Sequence, residues 1–156
     1  MPGSAVTALD SAAVTYEVIR HGPVGSVAEA AAALGLAVAD IVKTIVIRRG
    51  DDDYVFVLVP GDRVISWPKL RALLGVNRLS LPDAGTARDA TGYERGTITP
   101  FGATTAWPVV ADERVRGRRI TLGAGERGVA IALDADEAVR ALDATVADVT
   151  EPEPPR

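Results

Sequence analysis

Two β-branched runs constrain this chain more than any other feature: Val42-Lys-Thr-Ile-Val-Ile-Arg48 and Tyr54-Val-Phe-Val-Leu-Val59, joined by Arg49-Gly-Asp-Asp-Asp53. Side chains branched at Cβ suit a pleated surface and lose rotamer freedom in a helix, so both runs read as strands. The short polar connection makes them an antiparallel hairpin. The first run, apart from Lys43, reads as buried on both faces. A chain carrying such a hairpin must cover it from two sides.

The punctuation around the hairpin supplies that cover. Thr15 to Arg20 alternates like a strand and Gly22-Pro23 breaks it. Ser26-Val-Ala-Glu29 is a capping box opening an Ala-rich helix that Gly35 closes, with a short helical stretch at about 38–41. Pro60-Gly61 ends the hairpin, and Ser66 is expected to cap a helix with Pro68 in its first turn, running to Gly75. Asn77 to Leu81 reads as a strand, and Asp83 caps a helix ended by Gly92. Strands are expected at 107–111, 119–122 and 129–133, and Asp134 caps a last helix to Leu142. Hairpins mixed with single helices predict an α+β domain with a mixed, curved sheet. Residues 1–150 form one domain in this reading, and the acidic, Pro-rich tail 151–156 is expected to be disordered.

Composition narrows the chemistry. With 156 residues, 47% of them hydrophobic but only 4% aromatic, the chain makes one core built from Val, Ile, Leu and Ala. Cysteine is absent and histidine occurs once, at His21, so thiol nucleophiles, thiolate metal sites and His-rich zinc sites are unavailable. The net charge of −4 argues against a broad, sequence-blind nucleic-acid footprint, though not against a site for one nucleotide end. No apolar run approaches the ~18 residues of a membrane helix. Met1-Pro-Gly-Ser4 lacks the basic start of a signal peptide, so a cytoplasmic location is expected.

Several motifs fail on inspection. Gly123-Ala-Gly-Glu-Arg-Gly128 has the letters of a dinucleotide fingerprint, but Val-Ala-Ile-Ala-Leu after it alternates like a strand, so a hairpin turn is the better account. Asp51-Asp-Asp53 reads as a solvated hairpin tip, and Arg114, Arg116, Arg118 and Arg119 as a solvated connection that also has the charge to meet phosphates. His21 is either a polar strand end beside a turn or a site residue. Lys43 sits inside a strand that otherwise reads as buried. It either snorkels to an edge or projects into a cavity, where its ammonium would hold an anion, carbonyl or ribose hydroxyl. Thr91 to Gly102 follows neither period and is a long structured loop.

Taken in order, Asp40-Ile-Val-Lys-Thr-Ile-Val46, Val59-Pro-Gly-Asp62, Lys69-Leu-Arg-Ala-Leu-Leu-Gly75, Thr91-Gly-Tyr-Glu-Arg-Gly-Thr-Ile-Thr-Pro-Phe-Gly102, Pro108-Val-Val-Ala-Asp112 and Gly123-Ala-Gly-Glu-Arg-Gly128 resemble the YbaK/prolyl-tRNA synthetase-associated editing domain family. The resemblance covers roughly residues 15–150. It implies a curved, partly barrel-like sheet flanked by helices, and hydrolysis of the ester joining a noncognate amino acid to tRNA. The substrate it favours is tRNA(Pro) carrying Ala or another small noncognate amino acid, with an aminoacyl-tRNA synthetase as a further partner. By the same resemblance no metal or organic cofactor is implied, Lys43 and Gly96 are the catalytic positions, and Gly96-Thr97-Ile98-Thr99-Pro100 is the family's G-x-x-x-P loop framing the ester. Thr44, His21, Asp112 and Gly123 fall on or near substrate-binding positions.

Ester hydrolysis needs a positioned water and stabilisation of the developing oxyanion. Lys43, loop backbone groups and the substrate's own ribose hydroxyl are the groups this sequence can offer. A catalytically silent module binding aminoacyl ends or a synthetase is the alternative, and a Schiff-base enzyme using Lys43 is a third, weaker one.

Overall fold

The computed structural model describes residues 4–21 and 27–154. The hairpin forms as expected. Strand β2 (Val42–Gly50) pairs antiparallel with β3 (Asp53–Pro60), Val42 opposite Pro60 and Arg48 opposite Tyr54, with an irregularity between Arg48 and Gly50. Every residue from Tyr54 to Pro60 is buried. Because successive side chains leave opposite faces, Phe56 and Leu58 enter one core while Val55, Val57 and Val59 enter a second.

β5 (Val109–Asp112) lies parallel to β3, and β8 (Thr145–Ala147) parallel to β5, giving the order β2-β3-β5-β8. A second, antiparallel sheet has the order β1-β7-β6, from β1 (Tyr16–Arg20), β6 (Arg119–Gly123) and β7 (Val129–Asp134). A two-stranded sheet joins β4 (Arg63–Ile65) to β9 (Thr150–Pro152). A parallel bridge between Ile41 and Thr121 ties the first sheet to the second. The described strands form three sheets and no closed barrel, so the architecture is α+β with mixed sheets.

The helices are α1 (Ser4–Ser11), α2 (Val27–Leu34), α3 (Trp67–Leu74), α4 (Ala84–Thr91) and α5 (Ala135–Leu142), with 3-10 turns at Val38–Asp40 and Glu113–Val115. Leu9 of α1 and Ala138 of α5 join Phe56, Leu58, Leu122, Ile131 and Leu133 in the first core. Leu70 of α3 seals the second, with Ile47, Val55, Val57, Val59, Val110 and Val149. Asp83 and Asp134 cap their helices as expected, each accepting a main-chain N–H, from Thr86 and Asp136 respectively.

Four expectations change. Asn77 to Leu81 is no strand: only Ser80 pairs, with Arg48, through main-chain bonds of 2.8 and 3.1 Å. Asn77 and Arg78 are exposed, so nothing holds that segment in a ladder. Ser66 occupies the N-cap of α3 without a side-chain bond: Pro68, two residues on, has no N–H to offer its hydroxyl, and the Ser66 N–H donates to the Val149 carbonyl at 2.8 Å. The tail is not free from its start, since Glu151 and Pro152 pair with Val64 and Arg63. Their side chains stay exposed, and the main chain alone makes the ladder. Strand 107–111 begins two residues later, because Trp107 turns its Nε1–H to the Ala90 carbonyl (2.8 Å) and packs edge-on against Tyr54. The capping serine Ser26 and the Gly22-Pro23 break lie outside the described residues.

Candidate active site

The Gly123–Gly128 segment is the turn between β6 and β7, as its alternating sequel predicted. It is also the seat of the Gly96–Pro100 loop. A Cβ on Gly123 would lie 2.8 Å from the Ile98 carbonyl oxygen and 3.2 Å from that of Thr97, so only glycine lets loop and turn touch. The Gly125 N–H then donates to the Thr97 carbonyl at 2.9 Å. Tyr93 closes the loop from the other side. Its ring lies 2.5 Å from where a Gly125 Cβ would sit, and its hydroxyl donates to the Phe101 carbonyl at 2.7 Å. Burial pushes the Tyr93 phenol up, which keeps it a neutral donor. Thr97, Thr99 and Pro100 are buried, while Gly96 is exposed in the left-handed region at φ +88° with open space around its Cβ position. The His21 N–H donates to the Gly128 carbonyl at 2.8 Å, so His21 joins the far end of the same turn.

Lys43 arrives from the other side of β6. The parallel Ile41–Thr121 bridge sets the residue that precedes β2 beside β6. On β2, Val42 and Val46 face the first core, and Ile45 and Ile47 the second. Lys43 therefore leaves the second-core face and Thr44 the first, so these neighbours do not converge. Lys43 is half-buried and donates from Nζ to the Arg63 carbonyl at 2.7 Å. β2 is the end strand of its sheet, and the ammonium rests there on a main-chain carbonyl rather than on a carboxylate. Burial pushes its pKa down, and the charges of Glu153 and Asp62 pull it back up. An ammonium has three donors, so two remain for a ligand.

Thr44 Oγ1 and Thr99 Oγ1 are buried without a hydrogen-bond partner. Buried hydroxyls are rarely left so, and both suit a site that takes a polar ligand. Asp112 stands apart. Fully buried, it accepts from the Val149 N–H (3.2 Å), Thr150 Oγ1 (2.9 Å) and Arg114 Nη1 (3.1 Å), and so clamps β5 to the chain entering β9. The arginine cluster is consumed in ion pairs: Arg114 with Asp112 and Asp148, Arg116 with Asp136, Arg118 with Asp40, Arg119 with Glu17.

Tyr93, Arg63, Thr150 and Glu153 were not foreseen as site residues. Tyr93 stood in the quoted Thr-Gly-Tyr motif, but Arg63 and Thr150 are 87 positions apart with no shared pattern. A depression of about 740 Å³ lies at the opposite end of β2 among Arg48, Asp51, Ser80, Pro82 and Asp83. It is shallow and lined by hairpin-tip carboxylates, and it is remote from Lys43. Among the described residues no group of His, Asp and Glu is placed to hold a metal, and no helix is long and apolar enough to cross a membrane.

Residues 21–141 match the aminoacyl-tRNA editing domain family. The chain belongs to that family. It is 34% identical over 107 residues to the proline–tRNA ligase of Thermosipho africanus, a match covering 69% of this chain and 19% of the ligase. Against the proline–tRNA ligase of Lactobacillus gasseri the identity is 38% over 87 residues, 55% of this chain and 15% of the ligase. The chain thus spans about a fifth or less of these relatives' length. Two solved structures align along nearly all of it. One is the hypothetical protein APE2540 (TM-score 0.88, 27% identity, 95% of this chain and 99% of that one). The other is provisionally described as a trans-editing enzyme for prolyl tRNA synthetase (TM-score 0.87, 26% identity, 95% of each chain).

Proposed function

We propose that this editing-domain protein is a free-standing, cytoplasmic deacylase that hydrolyses the ester of mischarged tRNA, with tRNA(Pro) carrying alanine or another small noncognate amino acid as its substrate. The observation that carries this reading is the state of Lys43: half-buried on β2 and anchored through one N–H to a main-chain carbonyl, with two donors uncommitted.

In this reading water adds to the ester carbonyl carbon. The carbonyl oxygen takes up negative charge, and the ribose oxygen leaves with a proton to give free amino acid and tRNA. The ammonium of Lys43 holds substrate oxygen as that charge develops, a stabilisation worth most where water is excluded. The loop, pinned on Gly123, limits the space for the amino-acid side chain. A methylene more or less is worth about 1–3 kcal/mol in such a pocket, so small noncognate residues are separated from larger ones by fit. The ligase relatives and the trans-editing neighbour support tRNA(Pro) as the nucleic acid, with a synthetase as a further partner.

The net charge of −4 favours a second reading, a silent module that needs a synthetase to hold the tRNA. One experiment separates the two. The protein and its Lys43→Ala variant are incubated with tRNA(Pro) charged with Ala, Cys, Ser, Thr or Pro. Loss of one noncognate amino acid that depends on Lys43 is the expected outcome. Saturable binding of the tRNA with no turnover on any of them would favour the module.

A further inference from the structure

The acceptor of the Lys43 ammonium is itself held by the end of the chain. The Arg63 carbonyl belongs to β4, whose only ladder partner among the described strands is β9: Arg63 faces Pro152, Val64 faces Glu151 and Ile65 faces Thr150. The Arg63 side chain folds back on the same strand, Nε donating to Thr150 Oγ1 at 2.7 Å and Nη2 to the Thr150 carbonyl at 3.3 Å. Thr150 Oγ1 donates in turn to Asp112 Oδ1 at 2.9 Å. One residue beyond β9, the Glu153 N–H reaches the Asp62 carbonyl at 3.2 Å. An unbroken series of bonds thus runs from buried Asp112 through Thr150 and Arg63 to Lys43.

We propose that the C-terminal strap Val149–Glu153 is a positioning element of the editing site: by gripping Arg63 it fixes the carbonyl on which the Lys43 ammonium rests, with Thr150 as the positioning residue and Asp112 as its buried anchor. The inference rests on the deacylase reading of Lys43. A lysine side chain is long and rich in rotamers, so its ammonium keeps one place only if its acceptor does. Thr150 is not needed to satisfy Asp112, which still accepts from the Val149 N–H and from Arg114 when the hydroxyl is removed. Losing the hydroxyl therefore removes the short Nε bond of Arg63 and leaves only the longer Nη2 bond to the Thr150 carbonyl, while the buried carboxylate stays paired. Glu153 adds a second effect, because its charge is the larger of the two that favour the ammonium over the free amine. The strap both places Lys43 and brings a negative charge that favours its ammonium form.

The test uses the full chain with Thr150→Val, Thr150→Ser and Glu153→Gln, each checked for wild-type melting behaviour. Deacylation kinetics on mischarged tRNA(Pro) are paired with pH-dependent acetic anhydride labelling of Lys43, read by mass spectrometry. For Thr150→Val the inference expects kcat to fall about 10-fold or more, since misplacing a reacting group by an ångström can cost up to ~10²-fold. KM should stay within about twofold, as ground-state binding is not what is lost. Thr150→Ser should restore the rate, which a purely structural fault of packing would not predict. Glu153→Gln should move the labelling midpoint of Lys43 to lower pH, because a negative neighbour has been removed. A folded Thr150→Val protein with wild-type kcat and a wild-type labelling curve would overturn the inference and leave the deacylase reading standing. A wild-type protein that cleaves none of the esters would remove that reading instead, and Lys43 labelling would still judge the strap.

Discussion

The two flanks of the candidate site are built on opposite principles. Around Lys43 the geometry is made by side chains and charge: an ammonium on a carbonyl, an arginine folded on a threonine, a buried aspartate beneath them. Around Gly96–Pro100 it is made by backbone and by missing side chains: carbonyls of Thr97 and Ile98 laid on Gly123, and a tyrosine ring seated on Gly125. Substitution at the first flank changes chemistry while the fold persists. Substitution of Gly123 or Gly125 at the second adds atoms where there is no room. The comparison teaches that one site can be sensitive for two unrelated reasons, and that stability measurements distinguish them.

The largest expected effect tests the first flank. Lys43→Ala should lower deacylation by at least about 100-fold, the scale of a lost charged catalytic group. Its melting temperature should stay near that of the wild type, since a half-buried strand-end lysine fills little of either core. A matching loss of stability would erase the contrast.

Gly123→Ala tests the second flank. The new Cβ meets main-chain oxygen at 2.8 Å, which a flexible side chain cannot relieve. Activity should fall about 10-fold as the loop shifts, and urea denaturation should show a loss of about 1–3 kcal/mol from overpacking. Tyr93→Phe sharpens the same point without adding atoms. It leaves the buried Phe101 carbonyl without its donor and should cost about 1–3 kcal/mol by denaturant titration, with a smaller effect on rate than Gly123→Ala.

The smallest effect belongs to Asp148, outside both flanks. Hydrogen bonds from Arg114 and Lys69 hold its carboxyl down to about 2 from an ordinary 3.8. A carboxyl whose folded pKa is depressed stabilises the fold above its unfolded value, and that contribution is lost as pH falls toward the folded one. Melting curves should therefore show the wild type ahead of Asp148→Asn above pH 3.8, with the gap closing as pH falls toward about 2.

Much of the fold could be read from local pattern, for reasons that differ by element. The hairpin was legible because β-branched runs and a polar turn leave little alternative, and the helix ends at Asp83, Gly92 and Asp134 because capping is local chemistry. Asn77 to Leu81 misled because short apolar spacing cannot tell a strand from a segment that makes one bridge. The tail misled because composition speaks for side chains, whereas β9 is held by main chain. In the site, the loop and the glycine turn were legible as motifs, and their contact was not.

By itself the sequence determined the hairpin, the capped helices, the absence of thiol chemistry, and one lysine placed where a strand should be apolar. Only the tertiary structure decided what that lysine touches. Its acceptor lies 20 residues away, and the strap holding that acceptor lies 87 residues beyond it. Periodicity and capping act over a turn or a pleat, while hydrogen bonds that close between two sheets leave no mark on the residues between.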